Sequence, residues 1–171
     1  MMRRALVVAL ALVAATLGLA LAPPANATAS DTAPIVIVGA PGLAWSDLER
    51  DDLPALTAMV EQGASGSLTV RAVRSRSCAI DGWLTLSAGR RAGDLPGPCR
   101  EPLAPVDGLV PNWADYVAAA AADSYDARPG LLAEEVAASG ACVQSIGPGA
   151  AIGGADPGGA VGPTSSDTLP T

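Results

Sequence analysis

The feature that most constrains this chain is the apolar run Ile35-Val-Ile-Val38, set between Pro34 and Gly39. Apolar side chains at successive positions leave neither face of a strand to water, which is the pattern of a strand buried on both faces of a parallel sheet. The stretch that this run opens closes with Ala79-Ile-Asp-Gly-Trp-Leu-Thr-Leu-Ser-Ala-Gly89-Arg-Arg. With a helix and a second strand expected between them, Pro34 to Gly93 reads as one βαβ unit and the start of the next helix.

Taken in order, Gly39-Ala-Pro-Gly42 forces a turn, and Ser46-Asp-Leu-Glu49 has the spacing of a capping box at the start of a short helical turn. Asp52 is placed to cap a second helix, with Pro54 in its first turn, Leu53, Leu56, Met59 and Val60 along one face, and Gly63 as its stop. Ser67 to Arg76 alternates Leu68, Val70 and Val73 with polar residues, as a strand with one wet face does. Asp81 can cap the helix that holds Trp83, Leu84 and Leu86 and ends at Gly89. Ala92 to Pro111 reads as a surface loop. Asn112 can cap a helix through Trp113 and Tyr116, Pro129 starts another that stops at Gly140, and Ala141 to Ile146 is a second short apolar run suited to a parallel strand.

The expected fold class is therefore α/β, a partial parallel sheet flanked by helices, with a disordered carboxyl-terminal tail. The boundaries are residues 1–29 for a signal peptide, 30–152 for the α/β domain and 153–171 for the Gly/Pro/Ser-rich tail. Ligands of such sheets lie at the carboxyl ends of the strands, here Gly39 to Gly42, Arg76 to Cys78 and Gly147 to Gly149.

Export is the first functional expectation. Arg3 and Arg4 precede an apolar stretch from Ala5 to Ala22, followed by Pro23-Pro24 and small-x-small sites at Ala25-Asn-Ala27 and Ala27-Thr-Ala29. The alternative is an uncleaved membrane anchor, since the run is close to the length that spans a bilayer. The expected location is secreted or extracytoplasmic, in the cell envelope. An exported chain can use disulfides, and this one has 3 cysteines. Cys78 starts the helix after the second strand and Cys99 ends the loop that leaves that helix, so a turn back brings the two within bonding distance. Cys142, on the expected buried strand, is then the unpaired thiol.

The net charge of −7, with every basic residue an arginine and no histidine, argues against nucleic acid as a partner. Phenylalanine is absent, so burial falls to Leu, Val, Ile and a few Trp and Tyr residues. Once signal and tail are subtracted, about 110 residues remain, a size at which a single core is marginal.

The order of short motifs, Gly42-Leu-x-x-x-Asp47-Leu48, Leu53-Pro-x-Leu56, Gly63-Ala-x-Gly66, Ser77-Cys78 and Ala88-Gly89-Arg90, resembles the amino-terminal part of the alkaline phosphatase and phosphodiesterase superfamily over about Pro34 to Arg91. That resemblance implies a metal-ligating aspartate after the first strand, where this chain has Pro41, and a hydroxyl nucleophile after the second, at Ser77 or, less comfortably, Cys78. Proline offers no donor atom, and the family's later ligands include histidines, which this chain lacks. No metal site and no cofactor are therefore expected, and Ser77 is a weak candidate nucleophile. Either catalysis has been lost, leaving a domain that acts by binding, or the chain is the front portion of a longer metal-dependent phosphate-ester hydrolase.

Arg71, Arg74, Arg76, Arg90, Arg91 and Arg100 crowd into one segment of an acidic protein. Arg74 and Arg76 would share a strand face beside a helix start, and together with Arg90 and Arg91 they are the candidates for holding a small anion such as phosphate or a carboxylate. The plainer alternative is solvated charges paired with Asp81, Asp94 and Glu101. Gly147-Pro-Gly-Ala-Ala-Ile-Gly153 superficially has the look of a dinucleotide loop, but Pro148 removes a backbone donor and the spacing is one residue too long. Trp45, Trp83 and Trp113 read as packing residues. Beyond an anion or a membrane the sequence names no partner.

Overall fold

The computed structural model describes residues 34–49, 52–66 and 71–163. The chain falls into two units, residues 1–37 and 38–171. Of the first, Pro34 to Ile37 is described and is exposed. The expected signal or anchor and the strand residues Ser67 to Val70 lie outside the described residues.

The second unit holds five α-helices among its described residues: α1 (Pro54–Gln62), α2 (Ala79–Ala88), α3 (Trp113–Ala122), α4 (Leu131–Ala138) and α5 (Pro148–Gly154). A 3₁₀ turn, Trp45–Glu49, precedes α1. Local signals placed most of these. Pro54 stands in the first turn of α1, and Leu53 rather than Asp52 is its cap. Gly89 ends α2 in the left-handed conformation that favours glycine. The alanine run of α3 is the best of helix formers and starts after Asn112. Asp81, expected as a cap, sits in the third position of α2 and reaches back to accept from the Cys78 amide at 2.8 Å.

The expected α/β fold with a partial parallel sheet is overturned: among the described residues no strand forms. Isolated bridges join Val106 to Leu109 and Leu109 to Ala160. Ile35 and Ile37, expected inside a sheet, are 90% and 57% exposed. No ladder hydrogen bond joins that run to another described residue. A strand takes its hydrogen bonds and its apolar cover from other strands, and no described segment takes that place. Arg71 to Ser77 is a string of bends closed by the Ala72 amide donating to Ser77 Oγ at 2.9 Å. Ala141 to Ser145 is irregular.

The core is instead built around α2. Ile80, Leu84 and Ala88, four residues apart, are fully buried along one face, and they join Ala92, Val110, Trp113, Tyr116, Ala151, Ile152 and Ala155 in one cluster. Trp113 and Tyr116 meet edge to face with centroids 6.2 Å apart. Trp113 Nε1 donates to the Pro157 carbonyl at 3.0 Å.

The expected disordered tail is corrected from Gly153 to Val161. Gly153, Gly154 and Ala155 are buried, and α5 packs against α2. Its sequence, Pro-Gly-Ala-Ala-Ile-Gly-Gly, has poor helix propensity, since each glycine costs about 1 kcal/mol against alanine. Packing decides the outcome. A Cβ built on Gly149 or Gly153 would collide with the Trp83 indole, and one on Gly39 would do the same. Glycine lets the backbone lie directly on the ring, so the composition that signalled disorder is what the close approach requires. Residues 164–171 lie outside the described residues.

Candidate functional site

The chemistry-bearing residues converge on the loop after α2, which sequence pattern assigned to the surface. Ala92, Gly93 and Asp94 are buried there. The Asp94 amide donates to Asp81 Oδ1 at 2.8 Å, so one Asp81 oxygen holds the start of α2 and the other holds this loop. The Asp94 carboxylate accepts from the Leu95 amide at 2.7 Å and from Arg100 Nε at 2.6 Å, and Arg100 Nη2 closes a two-pronged ion pair on its other oxygen. Arg100 Nη1 reaches Asp115 Oδ2 at 3.1 Å on α3, and the guanidinium carbon lies 5.4 Å from the centre of the Tyr116 ring. Arg74 donates to the Asp94 carbonyl. Cys78 and Cys99 are disulfide-bonded with Cα atoms 5.5 Å apart, which pins the residue before Arg100 to the start of α2.

These contacts set the charge states. Burial pushes the Asp94 carboxyl up, but the Arg100 hydrogen bonds, the Leu95 amide and the charges of Arg100 and Arg74 outweigh it and hold the group below the ordinary carboxylate value. The bond to Asp94 raises Arg100 further above neutrality. Burial, then the Asp94 charge, pushes the Tyr116 phenol up. Among the described residues no buried side-chain nitrogen or oxygen lacks a partner. The Arg100 fork is occupied, and the cluster works as a clamp.

Its members were partly foreseen. The pairing of an arginine with Asp94 is one of the alternatives the sequence admits, whereas Asp115 and Tyr116 carried no signal, being ordinary residues of an alanine-rich helix. The anion candidates are not gathered into one place. Arg74 is engaged with Asp94, and Arg76 is exposed. Arg90 donates to Asp126 at 3.2 Å and to the Tyr125 carbonyl, and Arg91 lies 5.7 Å from the Tyr125 ring centre. The ten residues of α2 stand between the two pairs, about 15 Å of helix at 1.5 Å per residue.

Ser77 Oγ serves as a loop-closing acceptor for Ala72. Cys78 is spent in the disulfide, and Cys142 is the free thiol but is exposed rather than buried in a strand. Gly147 to Gly153 is absorbed into α5 and its cap rather than forming a phosphate-binding loop. Among the described residues no group of three or more His, Cys, Asp or Glu side chains could hold a metal ion. No described helix is long and apolar enough to cross a membrane, and the disulfide is compatible with an oxidising, extracytoplasmic setting. No protein-family model, no curated protein and no solved structure matches the chain.

Proposed function

We propose that this chain is an exported domain that acts by binding rather than by catalysis, and that its contact segment is the uncharged stretch from Pro34 to Ser46. The observation that carries this reading is the exposure of large apolar side chains along that stretch: Val38 is 77%, Leu43 48% and Trp45 65% exposed, following Ile35 to Ile37. No charged residue interrupts Pro34 to Ser46. An apolar, uncharged segment on an otherwise acidic protein fits a neutral, apolar partner surface, since exposed apolar area of this kind marks contact sites. The signal-like leader, Arg3 and Arg4 ahead of an apolar run, and the disulfide support export.

A photo-crosslinking residue placed at Ile37 in cells that produce the chain should give one discrete adduct, lost with Val36→Asp or Val38→Asp. The same residue at Ala118, exposed on α3, should give none. Equal labelling at both positions, or none at either, refutes the binding segment. The rival reading, the amino-terminal part of a metal-dependent phosphate-ester hydrolase, has its own test. Hydrolysis of a generic phosphate ester with zinc, magnesium or manganese, abolished in Ser77→Ala, would replace binding with catalysis.

A further inference from the structure

The run Ile35 to Val38 has the chemistry of a strand as well as that of an apolar surface. All four side chains are β-branched, a type that suits extended backbone and loses rotamer freedom in a helix. From Pro34 to Ala40 the backbone enters no helix and no turn. No backbone hydrogen bond joins Ile35 to Gly39 to another described residue, and among the described residues the chain supplies no strand to pair with. In an extended run Ile35 and Ile37 take one face and Val36 and Val38 the other, and all four are exposed, so neither face is covered.

A partner for such a segment must supply two things: an edge that pairs its amides and carbonyls, and apolar cover on both faces. The edge of a β-sheet that runs along a cleft supplies both. A lipid surface supplies only the cover, because hydrocarbon holds no group to pair with an open amide or carbonyl. A hydrophobic groove for helices takes an amphipathic helix rather than an extended run. A second copy of this chain supplies only the edge, since two such strands make a two-stranded ribbon that is marginal in water and leaves its faces wet. Charge points the same way. Soluble proteins guard free strand edges with charged side chains, and none stands between Pro34 and Ser46 in a chain of net charge −7.

The run is also free to be taken up. None of its residues belongs to the buried cluster, whose first member is Ile80. Its carboxyl end is held, because the Gly39 backbone lies so close to the Trp83 indole that a Cβ there would collide.

We propose that Ile35 to Val38 is a donor strand, which adds to one edge of a β-sheet in another protein and lays its two apolar faces in an uncharged cleft along that edge. This rests on the binding reading of the segment and names the chemistry of the partner. Main-chain hydrogen bonds supply the grip, and the β-branched side chains fill sites on alternate sides.

Pairing through one edge has a parity that apolar contact lacks. Successive residues of a strand turn their amides to opposite edges, so the amides of Val36 and Val38 face one way and that of Ile37 the other. Proline keeps an apolar side chain but removes the amide, and an edge strand tolerates it only where the amide points away from its neighbour. The test places a photo-crosslinking residue at Ile35 of the full chain, in cells that produce it, and combines it with Val36→Pro, Ile37→Pro or Val38→Pro. At matched protein level the adduct should fall by about tenfold or more either in Val36→Pro and Val38→Pro but not Ile37→Pro, or in Ile37→Pro alone, because a lost amide leaves the partner's carbonyl unpaired. The adduct should contain a second protein, crosslinked on an edge strand, and urea unfolding of the body should be the same in all three variants.

Equal yields at the three positions, whether all lost or all kept, overturn strand addition and leave the binding segment standing, as does an adduct with phospholipid. An adduct of two copies, a crosslink within the chain such as one to Ser67–Val70, or a body destabilised by any of the prolines also overturns the proposal. No adduct from the chain without a proline refutes the binding reading itself.

Discussion

Val38 to Gln62 and Ala72 to Val161 are stretches of one unit with opposite economies. The first carries large apolar side chains, Val38, Leu43 and Trp45 and then Leu56, Met59 and Val60 on one side of a helix, yet Val38, Leu43, Trp45 and Met59 all stay substantially exposed. The second is rich in glycine, proline and alanine, and it holds the core. What separates them is crosslinking by specific contacts. The body joins α2 to the following loop through Asp81, Asp94 and the disulfide, to α3 through Arg100, and to the approach of α4 through the Gly130 amide donating to Ser87 Oγ at 2.8 Å. The amino-terminal stretch has few such ties, among them Gly39 against Trp83. Hydrophobic residues in a segment do not by themselves make it part of a core.

The sharpest way to break this contrast is to truncate the centre of the body. Leu84 is completely buried in the cluster, so Leu84→Ala should destabilise the protein by about 2–5 kcal/mol through lost burial and the cavity left behind. Urea unfolding of the oxidised chain measures it. A change no larger than that of an exposed substitution would mean that α2 is not the organising helix.

The second effect tests the crosslink. Cys78 and Cys99 are 21 residues apart, and closing a loop of that size restricts the unfolded chain by about 3 kcal/mol. The double variant Cys78→Ser with Cys99→Ser should lose roughly that amount in urea unfolding, with Cys142 as the single remaining thiol. A loss confined to the amino-terminal stretch, with the body unmoved, would reverse the assignment of the disulfide to the body.

The helices were largely legible and the sheet was not, for one physical reason. A helix satisfies its hydrogen bonds four residues away, so its ends are written locally, in Pro54, Asn112, Gly89 and Gly140. A strand is satisfied by a distant segment, and Ile35-Val-Ile-Val38 carries the apolar pattern without naming a partner. The clamp was half legible. Asp94 and Arg100 stand close in sequence with opposite charge, whereas Asp115 and Tyr116 join them through the path of the Ala92 to Pro111 loop, which no local pattern dictates. The α5 glycines misled because their use is to admit Trp83, a residue more than sixty positions away in sequence.

Acid should weaken the body through Asp94. Asp94 titrates below its ordinary value in the folded chain, so the folded state binds its proton less readily than the unfolded state does. Its stabilising contribution is complete above the unfolded carboxylate pKa of about 4 and is lost as pH falls from there through the depressed folded value. Urea unfolding at descending pH should show stability falling through that window, and Asp94→Asn should flatten this portion of the profile. An Asn variant with the same acid slope would assign the loss to other carboxylates.

The smallest expected effect sharpens the comparison most. Met59 lies on α1, a helix without a buried residue, and is 68% exposed. Removing its side chain deletes an apolar group that folding does not take out of water. Met59→Ala should therefore change stability by no more than about 0.5 kcal/mol, as surface substitutions do, and its slightly better helix propensity offsets part of any loss. The same substitution should lower the fluorescence of a dye that binds exposed apolar surface, because the group it removes is part of that surface. Leu84→Ala at equal folded fraction should not. A loss above about 2 kcal/mol for Met59→Ala, the range of buried truncations, would show that α1 belongs to the core and that the two stretches are one.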